Sequence, residues 1–269
     1  MTADDVVLRD LTDGILTLTL NRPDRLNAWT REMGERYFDL LEAAAADKDV
    51  RVIVVTGSGR GFCAGADMDL LQSIGGGAAV VGEERRRFPA HTLAIPKPVI
   101  AAINGPAAGV GLVLAMMCDI RFAAAGAKLT TSFARRGLIA EYGLAWLLPR
   151  TIGPGPALDL LLSGRVFLAE EALGLGLVNR VTAPEDLLEE VTAYARDLAV
   201  NCSPRSLAVI KRQVYRHSDV DFAAAHAEAV RLMEESLQTA DFKEGVASYV
   251  ERREPRFEPL AGRVEDPFA

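Results

Sequence analysis

The chain has 269 residues, 49% of them apolar and 25% charged, which is enough hydrophobic material for one large buried interior. A formal net charge of −7 excludes a nucleic-acid binder that works mainly by neutralising phosphates. Cys63, Cys118 and Cys202 are odd in number and lack metal-like pair spacing, and His91, His217 and His226 are scattered, so free thiols in a reducing compartment and no metal are expected.

From the N-terminus, polar and acidic Met1–Asp5 shows no secretory signal pattern. Val6–Leu11 and Gly14–Leu20 flank Asp13-Gly14, a tight-hairpin signal, and Leu16, Leu18 and Leu20 alternate with Thr17 and Thr19 as in a half-buried strand. After a break at Asn21–Ala28, Thr30 is placed to cap a helix to about Ala46, with Met33, Tyr37, Leu40 and Leu41 on one face. The β-branched run Arg51–Thr56 reads as a central strand, followed by the loop Gly57–Asp67. A helix starts at Met68–Ile74, Gly75–Gly77 interrupts it, and charged Glu83–Arg87 reads as a solvated helical face.

Pro96 and Pro98 deliver the chain into a buried strand, Val99–Ile103. Leu112–Met117 reads as a buried helix, and Asp119–Ala123 and Lys128–Thr131 as further strands. Strands separated by crossovers of helical length predict an α/β chain with a largely parallel sheet. Phe133–Gly153 is punctuated by glycines, Gly155–Leu162 reads as helical, and Val178–Val181 as a short extended piece. Thr182-Ala-Pro-Glu185 has the form of a capping box, opening a helix whose stripe is Leu187, Leu188, Val191, Tyr194, Ala195 and Leu198. Helices from Pro204 to about Tyr215, at Asp221–Gln238 and at Asp241–Glu251 make the last third helical, and the polar tail Glu254–Ala269 is expected to be partly ordered or disordered. Apolar windows such as Val110–Met117 are too short for a membrane span, so the expectation is a cytoplasmic protein with no membrane partner.

Two stretches carry the chemistry. Asn104–Asp119 leaves a strand through Gly105, Gly109 and Gly111 and enters an apolar helix, and Gly61-Phe-Cys-Ala-Gly-Ala-Asp67 leaves another strand through glycines. Glycine lets the backbone turn sharply and approach a ligand closely, and such turns present unpaired N–H groups. Two of them, facing each other, suit a carbonyl oxygen that gains negative charge.

Together with Asn21-Arg-Pro-Asp-Arg-Leu-Asn-Ala28, Cys118-Asp-Ile-Arg121, Leu147-Leu-Pro-Arg150 and Lys243-Glu-Gly245, these stretches resemble the crotonase superfamily, the enoyl-CoA hydratase/isomerase family, over nearly the whole length. The resemblance implies a ββα spiral core at residues 1–200 holding the CoA and oxyanion-hole site. It implies a C-terminal α-helical trimerisation region at 201–269, in a homotrimer or a dimer of trimers. It further implies acyl-CoA substrates, no cofactor beyond the CoA thioester itself, and an enolate stabilised by the backbone N–H groups of Ala66 and Val110. Arg22, Asp24, Arg25, Leu26 and Ala28 would lie along CoA, as would Ala64, Ala66, Asp67, Met68 and Gly109, and Lys243 would reach the CoA of a neighbouring subunit. Arg25 is a natural phosphate partner, whereas Asp24 stands where some relatives carry Lys.

The sequence departs from the hydratase pattern, which uses two glutamates: the matching positions are Val113 and Phe133, neither able to transfer a proton. Glu141 stands where several enoyl-CoA and dienoyl-CoA isomerases hold a carboxylate, so the resemblance favours double-bond isomerisation with Glu141 as proton shuttle, in a pocket walled by Leu138, Ile139, Leu144 and Trp146. The alternatives are a hydratase or hydrolase with another base, and a non-catalytic acyl-CoA-binding protein. Asp67 is expected to fix its turn and cap the next helix, Asp119 to be structural, and Cys63 and Cys118 to be small buried thiols.

Overall fold

The computed structural model describes residues 6–75 and 87–260. Its main sheet has six strands in the order β1 (Val7–Thr12), β2 (Ile15–Leu20), β3 (Val52–Gly57), β4 (Val99–Ile103), β6 (Ile120–Ala124), β9 (Arg180–Thr182). β1 and β2 form the antiparallel hairpin around Asp13-Gly14, and every later pairing in this sheet is parallel. Three short strands, β5 (Ala107–Ala108), β7 (Lys128–Thr130) and β8 (Phe167–Leu168), make a second sheet.

Strand periodicity sorts the core onto two faces. Ile53 and Val55 of β3, with Ala101 and Ile103 of β4, join the cluster under α1 (Arg31–Ala46) and α3 (Val110–Met116). Val52, Val54, Ile100, Ala102 and Phe122 point the other way and are covered by Leu187, Val191, Ala195 and Ala199 of α7 (Leu187–Asn201). Thr30 caps α1 by accepting from the Met33 N–H at 3.2 Å, as its position predicts. The far end of α1 is closed by Lys97, whose buried ammonium donates to the carbonyls of Ala44 and Asp47.

Several expectations change. The capping box at Thr182–Glu185 is not formed: Thr182 ends β9, its hydroxyl bonds Ala183 O, and α7 begins at Leu187. Leu188 faces outward from α7, half exposed. The glycine-punctuated stretch holds a helix, α4 (Leu144–Ile152), which tolerates Pro149 and is bounded by Gly143 and Gly153 at positive φ. The remaining helices are α2 (Met68–Gly75), α5 (Pro154–Ser163), α6 (Ala169–Gly174), α8 (Pro204–His217), α9 (Phe222–Leu237) and α10 (Ala240–Glu251). Of the charged run at 83–87, only Arg87 is among the described residues; it is outside any helix and pairs with Asp39 and Glu42 of α1. The first part of the C-terminal tail is held: Arg51 donates to Phe257 O, and Glu258 N to Asp241.

α8 is locked to the sheet through Asp119, which accepts from Val99 N–H and the Tyr215 hydroxyl and pairs with Lys211 at 2.8 Å. Asp119 is thus a joint between elements. A cavity of about 610 Å³ opens between α8 and α10, lined by Leu207, Ile210, Phe242, Val246 and Tyr249 among others. None of its lining residues belongs to the glycine loops.

Candidate active site

The two glycine loops lie against each other because hydrogen bonds stitch them together. Pro106 O accepts from the N–H groups of Phe62 and Cys63, and Cys63 O accepts from Ala108 N–H at 3.0 Å. Glycine is required where these backbones touch: a Cβ at Gly111 would meet Cys63 O at 2.1 Å, and one at Gly105 would meet Arg60 O at 2.2 Å. Two asparagines brace the arrangement. Asn104 accepts from Gly57 N–H and donates to the carbonyls of Gly57 and Gly59, while buried Asn27 donates to Gly61 O and Ser58 O. Both bracing roles escaped the sequence reading. The available signal was an Asn preceding Gly105 and an Asn ending the strand break, residue types that hydrogen-bond locally and tolerate unusual φ; Asn27 lies at φ 56°.

The pairing also decides which amides stay open. Trp29 N–H donates to Gly65 O, and Asp67 N–H donates to Trp29 O, at 2.8 and 2.9 Å. This strand-like contact engages the residues on either side of Ala66, so the Ala66 N–H points to the opposite edge. Val110 is the first residue of α3, where an amide has no intrahelical acceptor. Neither the Ala66 nor the Val110 N–H donates to another described residue. A Cβ on Gly65 would meet Ala108 O at 3.0 Å, so the turn that carries Ala66 abuts the segment that leads into Val110.

Around these amides, Val113 is buried one turn into α3, its N–H bonded to Gly109 O. Phe133 is buried too, with a ring carbon 4.0 Å from where a Cβ on Gly109 would lie. Glu141 is half-buried in the loop before α4, and Tyr142 and Gly143 follow it at φ 56° and 80°. That loop touches the end of α3, with the Met117 Cε 4.0 Å from a Cβ position on Gly143. α3 therefore links Val110 to the Glu141 loop over roughly 10 Å of helix rise. The expected apolar walls divide: Leu144 is buried and Trp146 half-buried, but Leu138 and Ile139 are exposed, because the 3-10 turn at Ala134–Arg136 carries them to the surface. Arg150 stacks on Trp146 and pairs with Asp219.

Asp67 does what its position predicts. One carboxylate oxygen accepts from Asp69 N–H in the first turn of α2 and the other from Arg22 at 2.8 Å. The Arg22 guanidinium holds its carboxyl below the usual carboxylate range. Burial pushes the thiols of Cys63 and Cys118 up to about 12, so both are unreactive small side chains. Of the residues placed along CoA by resemblance, Asp24 and Arg25 are exposed, Leu26 and Ala28 half-buried, and Leu26 takes a left-handed φ of 48°. Ala64 and Ala66 are half-buried beside them, and Ala64 N–H bonds Leu26 O. Met68 is exposed at the start of α2, and Lys243 is exposed on α10. Gly109, at φ 50°, precedes Val110.

The sequence profile described as enoyl-CoA hydratase/isomerase matches residues 10–259. The chain belongs to the enoyl-CoA hydratase/isomerase family. A 1,2-epoxyphenylacetyl-CoA isomerase of Escherichia coli (strain K12) is 36% identical to this family member over 94% of its chain and 98% of the relative's. The crystal structure of an enoyl-CoA hydratase from Polaromonas sp. JS666 superposes with a TM-score of 0.87 at 31% identity, over 94% of this chain and 99% of that one. An enoyl-CoA hydratase from Mycobacterium marinum is 52% identical, with a TM-score of 0.68, over 79% of this chain and 98% of that one. This enoyl-CoA hydratase/isomerase family member thus has the crotonase fold, and its relatives include both hydratases and an isomerase. Among the described residues no group of three or more His, Cys, Asp or Glu is placed to hold a metal, and no helix is long and apolar enough to cross a membrane.

Proposed function

We propose that this enzyme binds an acyl-CoA thioester, holds the carbonyl oxygen of its enolate between the Ala66 and Val110 N–H groups, and moves a carbon–carbon double bond with Glu141 as the proton carrier. The observation that carries the reading is the pair of open amides on two loops bonded to each other. A donor of this kind lowers the barrier to enolate formation by roughly 2.7–4 kcal/mol. The chemistry needs a proton carrier and an oxyanion site, and CoA enters as part of the substrate.

Isomerisation is favoured over hydration by Val113 and Phe133. Both are apolar and buried beside Gly109 or on the helix it opens, so neither can activate water. In isomerisation, Glu141 takes the proton from one carbon as the electrons move onto the thioester oxygen. It returns that proton to another carbon as the carbonyl re-forms. Arg25, an exposed cation, is assigned to the CoA phosphates, and Lys243, also exposed, to the CoA of a neighbouring subunit. Asp24, Leu26, Ala28, Ala64, Met68 and Gly109 line the path of the pantetheine and adenine.

The test is incubation of wild type and Glu141→Gln with 3-enoyl-CoA and 2-enoyl-CoA. The expected result is conversion of the 3-enoyl to the 2-enoyl ester, with kcat reduced about 100-fold or more in the variant. Full isomerase rate in the variant removes Glu141 from the reaction. Water addition as the main reaction would favour the second reading, a hydratase with another base, which the names of the Polaromonas and M. marinum relatives support. Binding without turnover on any of these esters would leave a non-catalytic acyl-CoA binder.

The active form is proposed to be a homotrimer or a dimer of trimers. Large apolar side chains on α8 and α10, among them Ile210, Val214, Val246, Tyr249 and Val250, are exposed in the single chain and support association.

A further inference from the structure

Arg22 belongs to the motif that suggests contact with CoA, yet its side chain is engaged elsewhere. Its Nη1 donates to Ala28 O at 2.6 Å and to Asp67 Oδ2 at 2.8 Å. Its backbone N–H is held by Asn27 Oδ1 at 2.8 Å, which fixes where the side chain starts. The side chains of Arg22 and Asp67 are 21% and 8% exposed, so the pair is withdrawn from water. Neighbouring Arg25, by contrast, is exposed and makes no ion pair among the described residues.

What the pair touches is the oxyanion loop. Ala66 is held on one side through Gly65 O, bonded to Trp29 N–H, and on the other through Asp67, whose N–H bonds Trp29 O. Arg22 grips the Asp67 side chain and the Ala28 carbonyl together, so it ties the two paired segments to each other. Without the guanidinium, Asp67 would be a buried carboxylate without its counter-ion, and relief of that cost would come through movement of the loop. An oxyanion donor is effective only within about 2.7–3.1 Å of the oxygen it serves, so a small movement of residue 67 is felt at the Ala66 N–H.

We propose that Arg22 is a positioning residue: through its ion pair with Asp67 and its bond to Ala28 it aims the Ala66 N–H at the thioester oxygen, and it is not a phosphate ligand. The inference rests on the oxyanion reading given above. Its test uses butanoyl-CoA labelled with carbon-13 at the carbonyl, a saturated ester, bound to wild type, Arg22→Ala, Arg22→Lys and Asp67→Asn. Thermal melting establishes that each variant is folded. The readouts are the infrared carbonyl band of the bound ester and its Kd. Turnover is followed with both a 3-enoyl-CoA and the matching 3-enoyl-pantetheine thioester, which lacks the nucleotide.

In wild type the bound carbonyl band moves to lower wavenumber. In Arg22→Ala and Asp67→Asn the move shrinks, Kd for butanoyl-CoA stays the same, and kcat falls about 100-fold on both enoyl substrates, the cost of a misplacement near 1 Å. Arg22→Lys, which retains the charge with one donor, recovers part of the band shift. If Arg22→Ala weakens CoA-ester binding while the band stays at its wild-type position, or if its defect vanishes on the pantetheine substrate, Arg22 is a phosphate ligand and the inference is overturned. If wild type binds the ester without moving the band, the oxyanion reading itself fails, and this inference with it.

Discussion

Asp67 joins Arg22 to the first turn of α2 and follows Ala66 directly. Arg22 lowers the pKa of its carboxyl, so the folded chain binds that proton less readily than the unfolded chain does. The stability that comes from this pairing is complete above the ordinary carboxylate value of about 4 and is lost as pH falls through the lower folded value. Asp67→Asn is therefore expected to unfold at a lower urea concentration than wild type by a constant margin from neutral pH down to about 4, with the margin shrinking in more acid solution. A margin that does not change with pH would assign the loss to hydrogen bonds alone. Asn27 and Asn104 show a related economy. Each satisfies backbone groups of the 57–61 turn, which has no regular ladder of its own, so polar side chains replace a strand partner there.

At the scale of elements, α7 shows how the sheet decides a helix's phase. Its buried residues Leu187, Val191, Ala195 and Ala199 recur every four positions and cover β3, β4 and β6, while Leu188 points outward. Val191→Asp puts a carboxylate into the buried cluster that holds Val54 and Phe122, with no partner, and a loss of at least about 3 kcal/mol is expected in chemical denaturation. Leu188→Asp is expected to change stability by no more than about 0.5 kcal/mol. The reverse ranking would mean that α7 is rotated from the phase described. Periodicity gave the helix but included Leu188 in the stripe, because residues 187 and 188 are equally apolar and only contact with the sheet separates them. The box-like Thr182-Ala-Pro-Glu185 forms no cap for a similar reason: Thr182 completes β9 beside β6, and that pairing outweighs a local cap.

The whole molecule leaves part of its apolar surface uncovered. The exposed set on α8 and α10 flanks the 610 Å³ cavity between them, and Tyr249 is 86% and Val250 73% exposed. Exposed large apolar side chains gathered on two helices motivate the proposed association through this face. Wild type is expected to show the mass of three or six chains by light scattering, and Val246→Glu with Tyr249→Glu to shift it toward that of a single chain. A wild-type mass of one chain would reject the assembly.

The order of strands and helices, the parallel sheet and the family were legible in the sequence, because burial periodicity and glycine-specific turns are local properties of the chain. Val113, Phe133 and Glu141 stand out only through the resemblance, by their register within its motifs. Tertiary structure alone decided which amides stay open, since that depends on Trp29 pairing with both neighbours of Ala66 from a segment far away in sequence. It also decided that Arg22 faces Asp67 while Arg25 faces solvent. Two arginines three positions apart carry the same charge and the same chemistry; their surroundings, which the fold supplies, determine what each one holds.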